Sequence, residues 1–370
     1  MRSHRYAVSG TRPRGGRPSA RLGRSVLDAR SPFYRFETFE VGDGHGGRWR
    51  MRVGIPRTRP PRRGFPALWM LDGNRALAQF DHAWLQGLAA ARTPCVLVFV
   101  GPDNDLLVDL PRRAHDYTFQ PADHPFLAPP TAPPGPVGGG ADALLEVLAG
   151  QAMPALARRV PLDRERHALW GHSLAGLFVL HALYSGLGPF TEYAAASPSL
   201  WWSQGALLGD PEQRFSREGP ARAMRLWLFL GGAERAGHID PHARQDPHRA
   251  ALLEAIAGAP ADAAARLAER LATVPRLAVR YQEFPACSMR QCSAPHCGPR
   301  CNTLRACRCV AAGRAGPEPR RPPWPARRPC PPCLPGYTRH QSFASCTAAG
   351  ALPARGEALA NPSRRRLLRR

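Results

Sequence analysis

The 370-residue chain contains no lysine, so all 51 of its basic residues are arginine. Arginine is the better bidentate partner for phosphate, but the depletion runs through the whole sequence and fits GC-rich coding rather than selection for such contacts. Cysteine is nearly missing before residue 287, where Cys95 stands alone among ten. A body with one cysteine gives no sign of disulfides and suits a reducing compartment, so a cytoplasmic location is expected. No apolar run reaches the roughly 18 residues of a membrane span, and no membrane partner is expected. The basic N-terminus also lacks the apolar stretch of roughly 7–15 residues found in a secretory leader.

Acidic residues are scarce at both ends, and this explains the net charge of +23. Residues 1–30 hold eight Arg and one Asp, and residues 286–370 hold sixteen Arg and two Glu, which leaves about +2 for the stretch between. The expected organisation is a disordered basic arm over 1–32, a near-neutral domain over 33–285, and a disordered Cys/Pro/Arg-rich tail over 286–370. A non-enzymatic basic protein that binds nucleic acid through its Arg-rich ends is the alternative from another functional class. The domain itself is expected to have no specific nucleic-acid partner.

Within 33–285 the hydrophobic pattern alternates between buried strands and amphipathic helices. Tyr34–Val41 and Trp49–Ile55 alternate apolar and polar residues and predict an antiparallel pair. Apolar runs at Ala67–Leu71, Cys95–Val100 and Ala168–Trp170 predict buried strands, and further strands are expected at Glu192–Ala196, Arg225–Leu230 and Leu277–Phe284. Helices are expected at about 76–91, 141–159 and 247–273, the last broken near Pro260. The Pro/Gly-rich stretch 102–139 is too long for a plain connector and points to a functional loop. Together these features predict an α/β fold with a mostly parallel sheet covered by helices on both faces.

The apolar run ending at Trp170 passes abruptly through Gly171-His172-Ser173-Leu174-Ala175-Gly176 into a helix. Strand, tight turn and helix with a serine at the apex is the arrangement of a nucleophile elbow, although Ala175 stands where the usual spacing has glycine. Ser173 is therefore the candidate nucleophile. Its oxyanion hole would use the N–H of Leu174 and the N–H of Asn74, in the Asp72-Gly73-Asn74 turn that follows an earlier strand. Glu234, past the strand at 225–230, is the candidate acid. His172 points to a structural role. His238, Asp240, His242, Asp246 and His248 match no metal-site spacing, so no metal or other cofactor is expected.

Met70-Leu-Asp-Gly-Asn74, Arg113-Ala-His-Asp-Tyr-Thr118, Leu169-Trp-Gly-His-Ser173, Ser197-Pro-Ser-Leu200 and Glu283-Phe-Pro285 resemble, in order, the esterase branch of the α/β-hydrolases that includes the siderophore esterases. The resemblance covers about residues 33–285. It implies serine–histidine hydrolysis of a small-molecule ester or lactone, such as a ferric siderophore of the enterobactin or salmochelin type. It also brings the 102–139 loop to the substrate, where Arg112 and Arg113 would meet an anionic catecholate. A general carboxylesterase or an acyltransferase of the same fold is the alternative. In such esterases the histidine follows the last strand, in a stretch resembling Phe-Pro-x-Leu-x-His-Gly-x-Met-Leu. Here the pattern stops at Pro285.

Back-translation of Ala286–Ser293, read from the last base of the Ala286 codon, permits Leu-Gln-His-Ala-Ala-Met-Leu. The tail is therefore expected to be frame-shifted coding sequence, with the family histidine absent and activity impaired. Cys330-Pro-Pro-Cys333 has zinc-knuckle spacing but lacks a regularly spaced second pair.

Overall fold

A computed structural model describes residues 20–120, 137–231 and 254–284. Eight strands form a single sheet: β1 (Tyr34–Gly42), β2 (Arg48–Pro56), β3 (Phe65–Met70), β4 (Val96–Pro102), β5 (Leu162–His172), β6 (Glu192–Ala196), β7 (Met224–Gly231) and β8 (Leu277–Phe284). Their spatial order is β1-β2-β4-β3-β5-β6-β7-β8. β1–β2 and β2–β4 are antiparallel, and every other neighbouring pair is parallel. This is the expected α/β-hydrolase arrangement.

The parallel strands are apolar on both faces because both faces are covered. In β3, Ala67 and Trp69 join one core cluster while Leu68 and Met70 join the other, as the two-residue period of a strand requires. The second face is covered by α1 (Gly73–Leu77) and α2 (His82–Ala89). A single helix over about 76–91 was expected. Asp81 divides it by accepting a hydrogen bond from Trp84 N at 2.8 Å, an N-cap that starts α2 afresh.

Three further helical segments belong to the first face. Within the 102–139 stretch, residues 110–116 form a helix, α3 (Leu110–Asp116). Asp109 caps it through Arg112 N and Pro111 occupies its first turn. α4 (Ala141–Val147) runs through a π-helical turn at Leu148–Ala152 into α5 (Met153–Ala157), so the predicted 141–159 helix is one rod with an altered middle. The change lies just before Pro154, which has no N–H to give the preceding turn.

The central helix α6 (Leu174–Ser185) follows the elbow. Nine of its twelve residues are buried, and it packs on β5 and β6. A helix apolar on all sides can exist only inside the fold. α7 (Asp210–Glu218) and α8 (Ala263–Leu271) complete that side.

The folded body also includes residues 20–32, which the sequence pattern assigns to the basic arm. Leu22 N donates to Asp105 O at 2.8 Å, Leu107 N donates to Ala20 O at 2.7 Å, and Val26 is buried in the second cluster. Val26, with Leu22 and Leu27 packed beside it, and a few backbone pairs dock this stretch, and no hydrophobic period announces them. No helix among the described residues is long and apolar enough to cross a membrane.

Candidate active site

Three strands adjacent in the sheet, β3, β5 and β6, are each followed within two residues by a non-glycine residue with positive φ: Asp72 at 52°, Ser173 at 61° and Ser197 at 43°. L-residues avoid this region, so its repeated use along one edge marks a built feature. Ser173, with ψ at −119°, sits at the apex between β5 and α6. Its N–H donates to Ala196 O at 3.0 Å, and its carbonyl accepts from Leu177 N and Ser199 N.

Small residues make that turn possible. A Cβ on Gly171 would lie 2.3 Å from the Ala175 carbonyl oxygen. One on Gly176 would lie 3.0 Å from Ala196 O and 3.1 Å from Pro198 Cα. The close approach therefore uses Gly171 and Gly176, and Ala175 fits because its methyl enters the apolar core.

The Asp72 loop is stitched to the elbow. Leu71 N donates to Trp170 O at 3.0 Å. Arg113, on α3, donates through Nε to Asp72 Oδ1 at 2.6 Å and through Nη2 to the His172 carbonyl at 3.4 Å. Asp72 N in turn donates to the Tyr117 hydroxyl at 2.9 Å. Asn74 is almost fully buried. Its Nδ2 donates to Asn104 O at 2.9 Å and Leu106 O at 2.8 Å, and its Oδ1 accepts from Arg52. The Asn74 side chain thus holds the loop and leaves its backbone N–H, in the first turn of α1, without an intrahelical acceptor. Leu174 N–H, at the start of α6, is in the same position.

Residues 44–244 match the esterase family described as "Putative esterase". The chain is 36% identical over 225 residues to an apo-salmochelin esterase of Escherichia coli O6:H1, covering 60% of this chain and 69% of that one. The chain belongs to this esterase family. It is also 31% identical over 160 residues to a ferri-bacillibactin esterase of Bacillus subtilis, a match spanning 42% of this chain and about half, 55%, of that protein. A siderophore hydrolase from Aspergillus nidulans has the same fold, with a TM-score of 0.61 at 24% identity over 78% of this chain and 99% of that one.

In this esterase the two arginines expected near substrate are both anchored by carboxylates. The Arg113 side chain is 12% exposed and paired with Asp72. Arg112 donates to buried Asp116 at 2.7 Å and lies 4.6 Å above the Trp49 ring. Asp116 also accepts from Trp49 Nε1 at 2.7 Å.

His172 precedes Ser173 in the elbow, and its Nε2 is buried and has no hydrogen-bond partner among the described residues. Burial, then the charges of Arg75 and Arg113, push its pKa down to about 3, so it stays neutral at ordinary pH. Ser173 Oγ has one hydrogen-bond partner among the described residues, the Ser199 hydroxyl at 3.2 Å.

Glu234, the run from His238 to His248, and residues 286–370 lie outside the described residues. Two clefts among the described residues, of about 740 and 600 Å³, open near the starting ends of β5 to β8. Ser173 sits at the opposite ends of those strands.

Sequence reasoning missed Ser199 and the Arg113 clamp. Both lie in stretches that the resemblance singled out, Ser197–Leu200 and Arg113–Thr118, which was the available signal.

Proposed function

We propose that this esterase opens the ester or lactone bonds of a small siderophore-type substrate, with Ser173 as the nucleophile. In this reading the N–H groups of Leu174 and Asn74 stabilise the oxyanion as Ser173 Oγ bonds to the ester carbonyl carbon. Glu234, three residues beyond β7, supports the base. Arg113 belongs to the substrate site, but Asp72 balances its charge, so it contributes the shape of the floor more than net attraction for an anion. The single observation that carries the reading is the strained Ser173 apex beside a loop tied to it by Arg113. Siderophore esterases among the relatives support the substrate class.

The base is the weak point of the chain. Ser173 Oγ meets no histidine among the described residues, and neutral His172, at a pKa of about 3, is too weak to serve. We place the base in the alternative reading frame over Ala286–Ser293, and read residues 286–370 as frame-shifted coding sequence.

The test is to assay catecholate trilactone and simple aryl esters with the full chain and with a gene carrying the one-base change that restores Leu-x-His-x-x-Met. The restored frame is expected to raise turnover about 10²- to 10⁴-fold, the usual contribution of a general base. Equal turnover in both forms would refute the missing-base reading. A preference for aryl esters over trilactones in the restored form would refute the siderophore assignment and favour a general carboxylesterase.

A further inference from the structure

We propose that Ser199 is a positioning residue for the nucleophile, acting through a hydroxyl–hydroxyl hydrogen bond in which Ser199 is the donor once Ser173 attacks. The proposal rests on the reading of Ser173 as nucleophile. Ser199 belongs to the Ser197-Pro198-Ser199-Leu200 turn after β6, a stretch that the resemblance picked out and the mechanism above does not use.

The turn is built around the elbow from both sides. Ser197, at a φ of 43°, donates its N–H to Phe229 O on β7 at 2.7 Å. Ser199 N donates to the Ser173 carbonyl at 3.1 Å, and Ser173 N donates to Ala196 O at 3.0 Å. Backbone bonds thus fix the two serines relative to each other whatever their side chains do. The Ser199 residue is 1% exposed, and its hydroxyl is 3.2 Å from Ser173 Oγ. Ser173 Oγ is its one side-chain partner among the described residues.

A hydroxyl can donate one hydrogen bond and accept others. Before attack, either serine can be the donor. When Ser173 Oγ bonds to the ester carbonyl carbon, the carbonyl π electrons move to its oxygen and the Ser173 proton passes to an imidazole base. Ser173 Oγ is then an acceptor only. The Ser199 O–H is the donor that faces it, and it faces it again when the acyl group leaves and negative charge returns to that oxygen. Ser199 keeps its own proton throughout, because no second side-chain partner among the described residues is placed to take it. A relay would need one. The hydrogen bond therefore stabilises charge on Ser173 Oγ and lowers the pH at which the serine reacts.

The experiment uses the full chain in imidazole buffer, so that a base is present whatever the tail supplies. Wild type, Ser173→Ala, Ser199→Ala and Ser199→Thr are reacted with a fluorophosphonate probe from about pH 6 to 10, and the covalent adduct is followed by intact mass. Ser173→Ala should form no adduct; if it labels as wild type does, the nucleophile reading fails, and this proposal with it. Ser199→Ala keeps the backbone bonds and should react about 3- to 10-fold more slowly, with the alkaline limb of its pH–rate profile raised by about half to one unit. Ser199→Thr, which keeps the hydroxyl, should recover most of the rate. A Ser199→Ala rate equal to wild type overturns the proposal. So does a slower rate with an unmoved limb, the mark of a merely structural role. Should Ser199→Ala melt lower, the position of the limb decides, since the fraction folded changes amplitude and leaves that position alone.

Discussion

The two loops that meet at the candidate nucleophile are held by opposite means. The elbow is steric: Gly171 and Gly176 let strand and helix approach, and α6, apolar on nearly every side, locks the turn into the core. The Asp72 loop is electrostatic: Arg113 pairs with Asp72, and the Asn74 amide ties down residues 104 and 106. A steric device tolerates salt and pH but no added volume. A charge device tolerates small shape changes but not the loss of one partner, because a single buried charge is far worse than a pair or none. The proposed oxyanion hole, with one N–H from each side, would need both devices intact.

Three measurements bear on that contrast. The largest effect is expected on the charge side. Arg113→Met leaves the Asp72 carboxylate, 9% exposed, without its partner, and should destabilise the chain by about 3–5 kcal/mol in urea unfolding. Adding Asp72→Leu should recover much of that loss. If the double variant is no more stable than Arg113→Met alone, the ion pair is not what holds the loop.

A smaller effect is expected on the steric side. Gly171→Ala puts a methyl 2.3 Å from the Ala175 carbonyl, where backbone must move, and should reduce stability by about 1–3 kcal/mol, equally in low and high salt. A loss that vanished at high salt would contradict the steric assignment.

At neutral pH the smallest effect is that of His172, which appears only as the pH falls. His172 has its pKa lowered from the ordinary 6.5 to about 3, first by burial and then by Arg75 and Arg113. Between those values the unfolded chain takes up a proton that the folded chain refuses. The stability is therefore present in full above about pH 6.5 and falls as the pH drops, by at most about 1.4 kcal/mol per pH unit. Replacing His172 by Leu should flatten the thermal-stability profile between about pH 4 and 6 and leave it unchanged above 7. An unaltered slope would show that His172 does not carry the acid sensitivity.

What could be read in advance follows the reach of each interaction. The elbow was legible because its parts are neighbours: Gly171, Ser173 and Gly176 span six residues, and strand and helix patterns adjoin them. The turn at Asp72-Gly73-Asn74 was legible for the same reason. The helix at Leu110–Asp116 was hidden because a Pro/Gly-rich stretch has no apolar period, although Asp109 and Pro111 spell its start. The split between α1 and α2 was hidden because the apolar spacing of Leu77, Phe80, Trp84 and Leu88 runs through it, while α1 stops at Leu77 and Asp81 begins the next helix.

Arg113 carried a motif but not its meaning. Its partners, Asp72 and the His172 carbonyl, are 41 and 59 residues away, and the pattern around it reads equally well as a surface helix offering charge to a ligand. Ser199 is the same case, 26 residues from Ser173 and bonded to it.

The chain's own pattern determined the class of fold, the place of the candidate nucleophile and the succession of strands and helices along the chain, because hydrophobic period and glycine placement act over a few residues. It also marks the break after Pro285, where that period stops. Only the tertiary structure decided which charges are free and which are paired, and which hydroxyl faces Ser173. Those properties depend on distances between strands β3, β5 and β6, which adjoin in space while standing far apart along the chain.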